Sequence, residues 1–161
     1  MNYKQFYDRL SRPLRSYAKV LEGVNKAITR IFYLLFPLLL IWLWHRDGWF
    51  VLFTTVLIMG GGFFLLSLGR SLYNRPRPYQ TWDIQPLIKK ASLGKSFPSR
   101  HVFSATTIAM FALLLNPWLG GTMLLLAALL AILRVLGGVH YPSDVLAGYV
   151  LGILVGLLLY L

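Results

Sequence analysis

From His101 to the C terminus, 61 residues hold only four strongly ionisable side chains: His101, Arg134, His140 and Asp144. They stand in otherwise apolar sequence, where such groups are expensive, usually pair or face a bundle interior, and mark function. Asp144 follows His140 by four residues, close to one helical turn, so its carboxylate can hold an imidazole N–H and fix the tautomer. Pro142 between them suits the first turn of a helix. Upstream, residues 70–100 supply Arg70, Arg75, Arg77, Lys89, Lys90, Lys95 and Arg100, together with the run Pro98-Ser99-Arg100-His101. Two histidines and one aspartate could in the abstract ligate a metal. So many cations around a single carboxylate would repel a divalent ion and attract phosphate, whose oxygens the planar guanidinium matches with paired hydrogen bonds. Phosphoryl chemistry needs a nucleophile or base on one side and an acid for the leaving group on the other, and the two histidines can fill those roles. No metal and no cofactor is expected.

The elements that must position these groups are membrane helices. A chain of 161 residues with 57% hydrophobic residues, 13% charged residues and a mean hydropathy of +0.64 is too apolar for a soluble globule. It is also too rich in aliphatic and aromatic residues to be disordered. Five apolar runs are expected to span: Ile31 to Trp44, Trp49 to Leu68, Val102 to Leu115, Leu119 to Val139 and Val145 to Leu161. The first is short, about 21 Å at 1.5 Å per residue, and needs Arg30 to snorkel and Trp42 and Trp44 to sit at the interface. Before them, Tyr3 to Val24 alternates apolar and basic residues at helical spacing, which predicts a basic amphipathic helix on a membrane surface, kinked or divided at Pro13. The expected fold is therefore all-α, a polytopic membrane bundle of about five transmembrane helices with an N-terminal interfacial segment over 1–30 and a catalytic domain over 31–161.

Two crossings separate the 70–100 loop from the end of the run that carries Arg134, so Arg134, His140 and Asp144 fall on the same face as the cationic loop. His45, in the turn His45-Arg46-Asp47-Gly48, falls on the opposite face and receives no catalytic role. Gly148, Gly152 and Gly156 line one face of the last run and allow close helix approach, either within the chain or in a homo-oligomer, with packing inside the chain preferred. The absence of cysteine excludes disulfides and thiol chemistry.

The order Arg70-x6-Arg77-Pro78, Pro98-Ser99-Arg100-His101, Arg134-x5-His140-x3-Asp144 resembles the three signature motifs of the type 2 phosphatidic acid phosphatase (PAP2) superfamily, and His140 to Gly148 resembles its small bacterial members. The usual pattern there is Lys-x6-Arg-Pro, Pro-Ser-Gly-His and Ser-Arg-x5-His-x3-Asp. The resemblance covers positions 70–144. It implies a metal-independent membrane lipid phosphatase that removes a terminal phosphate from phosphatidic acid, phosphatidylglycerophosphate or undecaprenyl diphosphate through a phosphohistidine. Carried over by position, His140 is the nucleophile, Asp144 its orienting acid and His101 the proton donor to the leaving oxygen. Arg70, Arg77, Ser99, Arg100 and Arg134 would bind the phosphoryl oxygens.

Three positions depart from the pattern: Arg70 stands for lysine, Arg100 for glycine and Leu133 for serine. Arg75, Lys89, Lys90 and Lys95 match no motif position and read as headgroup or topology charges, with Lys95 the nearest to substrate. The implied partners are a membrane lipid substrate and anionic headgroups, not nucleic acid, and the implied location is the bacterial cytoplasmic membrane. Charge counting sets the basic loop on the cytoplasmic side, whereas the family more often faces outward. The competing reading is a non-catalytic anionic-lipid binder or transporter, which would need the arginines but not a nucleophile with its orienting acid.

Overall fold

Asn2 opens the first helix, α1 (Tyr3–Ser11), with a capping box: its side chain accepts from the Gln5 N–H at 2.9 Å, and the Gln5 side chain accepts from the Asn2 N–H at 3.2 Å. Pro13 then divides the amphipathic stretch as expected, turning Arg12–Tyr17 into a 3-10 helix before α2 (Ala18–Tyr73) begins. The computed structural model describes residues 2–88 and 93–161, so Lys89 and Lys90 lie outside the described residues.

Within α2 only Gly48 is non-helical, with φ 82° and ψ −176°, a region that glycine enters without Cβ strain. It divides α2 into arms over 18–47 and 49–73. The arms are antiparallel. Asn25 and Arg30 on the first and Arg70 on the second border cavities that share His101, while Arg46 beside the break reaches the Leu115 carbonyl at the other end of the bundle, at 3.5 Å. The run expected at 31–44 thus lies inside the longer first arm, and the run expected at 49–68 opens the second.

After the short α3 (Pro78–Thr81), the chain forms α4 (Arg100–Leu115), α5 (Pro117–Leu136) and α6 (Pro142–Leu157), the last extended by a 3-10 turn, Leu158–Tyr160. α5 and α6 begin at their prolines, two or three residues before the hydropathy runs, because proline is pre-set for the first helical turn. Asn116 caps α5 by accepting from the Leu119 N–H at 3.0 Å. Among the described residues every regular element is helical, and α2, α5 and α6 with its extension are long and apolar enough to cross a membrane.

α4 is the central rod: Val102, Phe103 and residues 105–112 are all buried against the α2 arms, α5 and α6. The outer surface is apolar, with Leu57, Phe64, Leu125 and Leu146 exposed. Trp44, Trp49 and Trp118 are exposed near the Gly48 end, as an interfacial girdle requires. The glycine stripe of α6 faces α4 within the chain. A Cβ on Gly148 would stand 2.6 Å from the Ser99 carbonyl oxygen, one on Gly152 2.7 Å from Thr106 Cβ, and one on Gly156 would collide with Met110.

α1 lies across the end of the bundle opposite Gly48 and uses its apolar stripe on protein. Tyr7 is fully buried, donating to the Leu136 carbonyl at 3.2 Å and accepting from the Leu87 N–H at 3.3 Å. The Tyr3 ring meets Tyr141 edge-on at 4.8 Å, and Lys4 pairs with Asp83 at 2.9 Å.

Candidate active site

The chain turns back into α6 at Tyr141-Pro142, and this corner sets the distance between His140 and Asp144. Asp144 is the third residue of α6, and its Oδ2 accepts from the Tyr141 N–H at 3.0 Å. That bond holds the carboxylate back toward the preceding residue, 3.4 Å from His140 Nδ1. Ser96 Oγ donates to the same oxygen at 2.5 Å, and Arg75 donates to Oδ1 at 2.8 Å. Asp144 is completely buried, so these bonds replace the water that a carboxylate would otherwise keep.

His140 is buried too, and burial pushes its pKa down to about 4; the Asp144 bond opposes that shift and the Arg77 cation adds to it. The imidazole is therefore neutral near pH 7. With Nδ1 turned to a carboxylate, Nδ1 carries the proton and Nε2 carries the lone pair.

Nε2 faces a polar cavity of about 260 Å³ lined by Arg70, Arg77, Lys95, Arg100, His101 and His140, among others. Arg77 NH1 lies 3.4 Å from Nε2 and donates to the Val139 carbonyl at 2.9 Å, while its Nε donates to Gly94 O at 3.2 Å. These anchors fix a cation where charge would develop on a phosphoryl group attacked by Nε2. Arg70 donates to the carbonyls of Lys95 and Pro98, and more weakly to Ser96 at 3.5 Å. A fork is needed to hold several carbonyls at once, so arginine in place of lysine organises the 95–98 loop as well as charging the cavity.

Ser99 immediately precedes α4. Its N–H donates to the Asp144 carbonyl at 2.8 Å, tying the starts of α4 and α6 together, and its buried Oγ has no partner. An unpartnered hydroxyl beside the N-terminal end of a helix is suited to an anion. Arg100 points outward over the Phe63 ring, 5.6 Å from its centroid, and borders both the polar cavity and an apolar groove that contains Phe32, Tyr33 and Ile108.

Arg134 is buried among the same elements but lines a different, adjoining cavity with Asn25, Arg30 and His101. The polar cavity thus gathers Arg70, Arg77, Arg100, His101 and His140, with Asp144 and Ser99 behind it and Arg134 to one side. His45 is exposed at the far end. Among the described residues no three His, Cys, Asp or Glu side chains form a group that could hold a metal ion.

Arg75 and Ser96 are not among the expected site residues, yet both side chains bond to the Asp144 carboxylate. Arg75 also stacks over Tyr141 at 4.3 Å and donates to Ser143 Oγ at 3.0 Å. A signal was present: one buried carboxylate serving a histidine needs a further cation, and Arg75 in the adjoining loop matches no phosphate-binding position.

A sequence model of the PAP2 superfamily matches residues 47–161. The chain is 28% identical over 166 residues to the undecaprenyl-diphosphatase BcrC of Bacillus subtilis, covering 99% of this chain and 83% of that protein. Its fold matches the crystal structure of Aquifex aeolicus LpxE with a TM-score of 0.69 at 23% identity, covering 99% of both chains. It also matches a transmembrane PAP2 type phosphatidylglycerolphosphate phosphatase from Bacillus subtilis with a TM-score of 0.66 at 24% identity, covering 99% of this chain and 95% of that one.

Proposed function

Since the chain belongs to the PAP2 superfamily, we propose that it is an integral membrane lipid phosphatase that hydrolyses a terminal phosphate from a lipid phosphate or diphosphate, without metal, through a phosphohistidine at His140. The observation that carries this reading is the pairing of the two His140 nitrogens: Nδ1 beside the buried Asp144 carboxylate at 3.4 Å, and Nε2 beside the Arg77 guanidinium at 3.4 Å in the polar cavity.

In the first step Nε2 forms a bond to phosphorus and the bond from phosphorus to the lipid oxygen breaks. His101, lining the same cavity, gives that oxygen its proton. The developing imidazolium is stabilised by Asp144, as in other acid-oriented histidines. Arg70, Arg77, Arg100, Arg134 and the Ser99 hydroxyl hold the phosphoryl oxygens as charge redistributes. Water, deprotonated by His101, then releases inorganic phosphate and restores His140.

The lipid enters from the bilayer of a bacterial cytoplasmic membrane, with anionic headgroups met by the basic N-terminal segment. Substrates consistent with the site are phosphatidic acid, phosphatidylglycerophosphate and a polyprenyl diphosphate such as undecaprenyl diphosphate, the substrate named for one relative.

The test is phosphate release by the detergent-solubilised protein across these three lipids with excess chelator. Release from at least one is expected, and His140→Ala and Asp144→Asn should each reduce kcat at least about a thousandfold. His45→Ala should stay near the starting rate. No release from any lipid, or full dependence on added metal, overturns the proposal.

A further inference from the structure

His140 follows a pair of glycines. The turn from α5 to α6 runs Leu136-Gly137-Gly138-Val139-His140-Tyr141, and Gly138 sits at φ 73°, so the backbone that carries the nucleophile has unusual freedom of its own. In-line attack on phosphorus needs the opposite, a nitrogen held in place, because small misplacements of a reacting group are costly. The restraint must come from outside the turn.

Three of the turn's carbonyls are held by other segments. Arg77 donates to Val139 at 2.9 Å, and the Ile88 N–H donates to Gly137 at 3.1 Å. The third, Leu136, accepts from the Tyr7 hydroxyl at 3.2 Å, and the same hydroxyl accepts from the Leu87 N–H at 3.3 Å. One oxygen from the fully buried Tyr7 of α1 therefore joins the Leu87-Ile88 strand of the loop to the turn. Tyr7 also fills the space beside Gly138, where a Cβ would stand 2.6 Å from its hydroxyl. Beyond His140, the Tyr3 ring meets Tyr141 edge-on at 4.8 Å, and Arg75, which serves Asp144, lies over the same ring at 4.3 Å. α1 thus grips the chain on both sides of His140, although it lies outside the three signature motifs.

We infer that α1 is a strap that positions the nucleophile, with Tyr7 and Tyr3 as positioning residues for His140. The inference rests on the phosphatase reading above and adds to it two residues that act through the turn rather than on the substrate.

The two tyrosines act by different chemistry. Tyr7 works through its hydroxyl, so Tyr7→Phe keeps the ring and removes the bonds to Leu136 and Leu87 together. Tyr3 works through its ring, because its own hydroxyl is buried without a partner. Tyr3→Phe therefore keeps the contact with Tyr141, whereas Tyr3→Leu loses it.

The experiment compares Tyr7→Phe with Tyr149→Phe, using the full chain in detergent. Tyr149 donates to the Leu124 carbonyl at 3.2 Å, a matching bond between α5 and α6 that does not involve the turn. Both substitutions should lower the melting temperature. Only Tyr7→Phe should also lower kcat for phosphate release, about tenfold with KM within about twofold, as expected when the nucleophile is less often in place and substrate binding is intact. Tyr3→Leu should lower kcat about fivefold, and Tyr3→Phe should keep it. A Tyr7→Phe kcat no lower than that of Tyr149→Phe, or a loss confined to KM, overturns the strap. Should Tyr7→Phe not fold, the Tyr3 pair carries the test, and equal kcat in Tyr3→Leu and Tyr3→Phe overturns it. Nitrogen-15 NMR of labelled histidine reads the same restraint without turnover. Tyr7→Phe should raise the His140 titration midpoint by about one pH unit, because a loosened turn admits water to the imidazole, and Tyr149→Phe should leave it in place. If no lipid in the panel is hydrolysed, the phosphatase reading fails and the midpoint alone decides; an unmoved midpoint then overturns the strap.

Discussion

Replacing Arg75 by alanine tests whether Asp144 is held for catalysis by a residue outside the signature motifs. Arg75 donates to Asp144 Oδ1 at 2.8 Å, while Ser96 and the Tyr141 N–H serve Oδ2 at 2.5 and 3.0 Å. The substitution leaves Oδ2 bonded and strips Oδ1. A hydrogen bond to a charged group contributes about 1.5–3 kcal/mol. The Asp144 side chain is fully buried, but the Arg75 side chain is 29% exposed, so water can partly replace the guanidinium. A loss of about 2 kcal/mol is the appropriate figure. The loss is felt most where His140 becomes cationic and depends on Asp144, in the transition state, so kcat should fall about thirtyfold. KM should change less than about threefold, because Arg75 belongs to the Asp144 cluster and not to the phosphate-binding set. Arg75→Lys keeps the charge but loses the stacking over Tyr141 and should recover only part of the rate. The assay is steady-state phosphate release with chelator present. A kcat within threefold of the starting protein, or a change confined to KM, would refute the positioning role.

Three further outcomes follow from the site and its frame. Burial pushes His140 down to about 4, so nitrogen-15 NMR of labelled histidine should find it as the neutral Nδ1–H tautomer at pH 6; a titration midpoint near 6.5 in the free protein would contradict this. Because the folded pKa lies below the unfolded one, the contribution of this histidine to stability is intact above about pH 6.5 and is lost as pH falls from there toward 4, which thermal melts across that range would register. Gly148→Ala sets a methyl 2.6 Å from the Ser99 carbonyl, a backbone atom that cannot move without shifting Ser99 and the start of α4. It should cost about 1–3 kcal/mol and much of the activity, and a variant with unchanged melting temperature and rate would show that α6 does not rest on α4 there.

The candidate histidine–carboxylate pair of His140 and Asp144 was legible in the sequence because residue type and short spacing are local, and the structure brings the two side chains to 3.4 Å. His140 and Asp144 are one helical turn apart, and in apolar sequence an ionisable group is rare enough to be noticed. The five apolar runs and the break at Gly48 were legible for a similar reason, since hydropathy and glycine act locally. Helix ends were less so. Pro117 and Pro142 start α5 and α6 earlier than the hydropathy runs suggest, because backbone geometry, not apolar content, sets the first turn.

The fate of each cation required the tertiary structure. Arg75 and Arg77 are two residues apart and identical in chemistry, yet one closes on Asp144 and the other on His140 Nε2. Arg134 carries a motif position but opens into a cavity completed by Asn25 and Arg30, more than a hundred residues earlier in the chain. The amphipathic stripe of α1 predicted an apolar face without saying what would cover it, and Tyr7 packs against Leu136 and Leu87. Composition and periodicity report what a residue needs, which for a buried charge is a partner and for an apolar stripe is a surface. Which partner or surface answers that need depends on how distant segments are packed, and only the assembled bundle decides it.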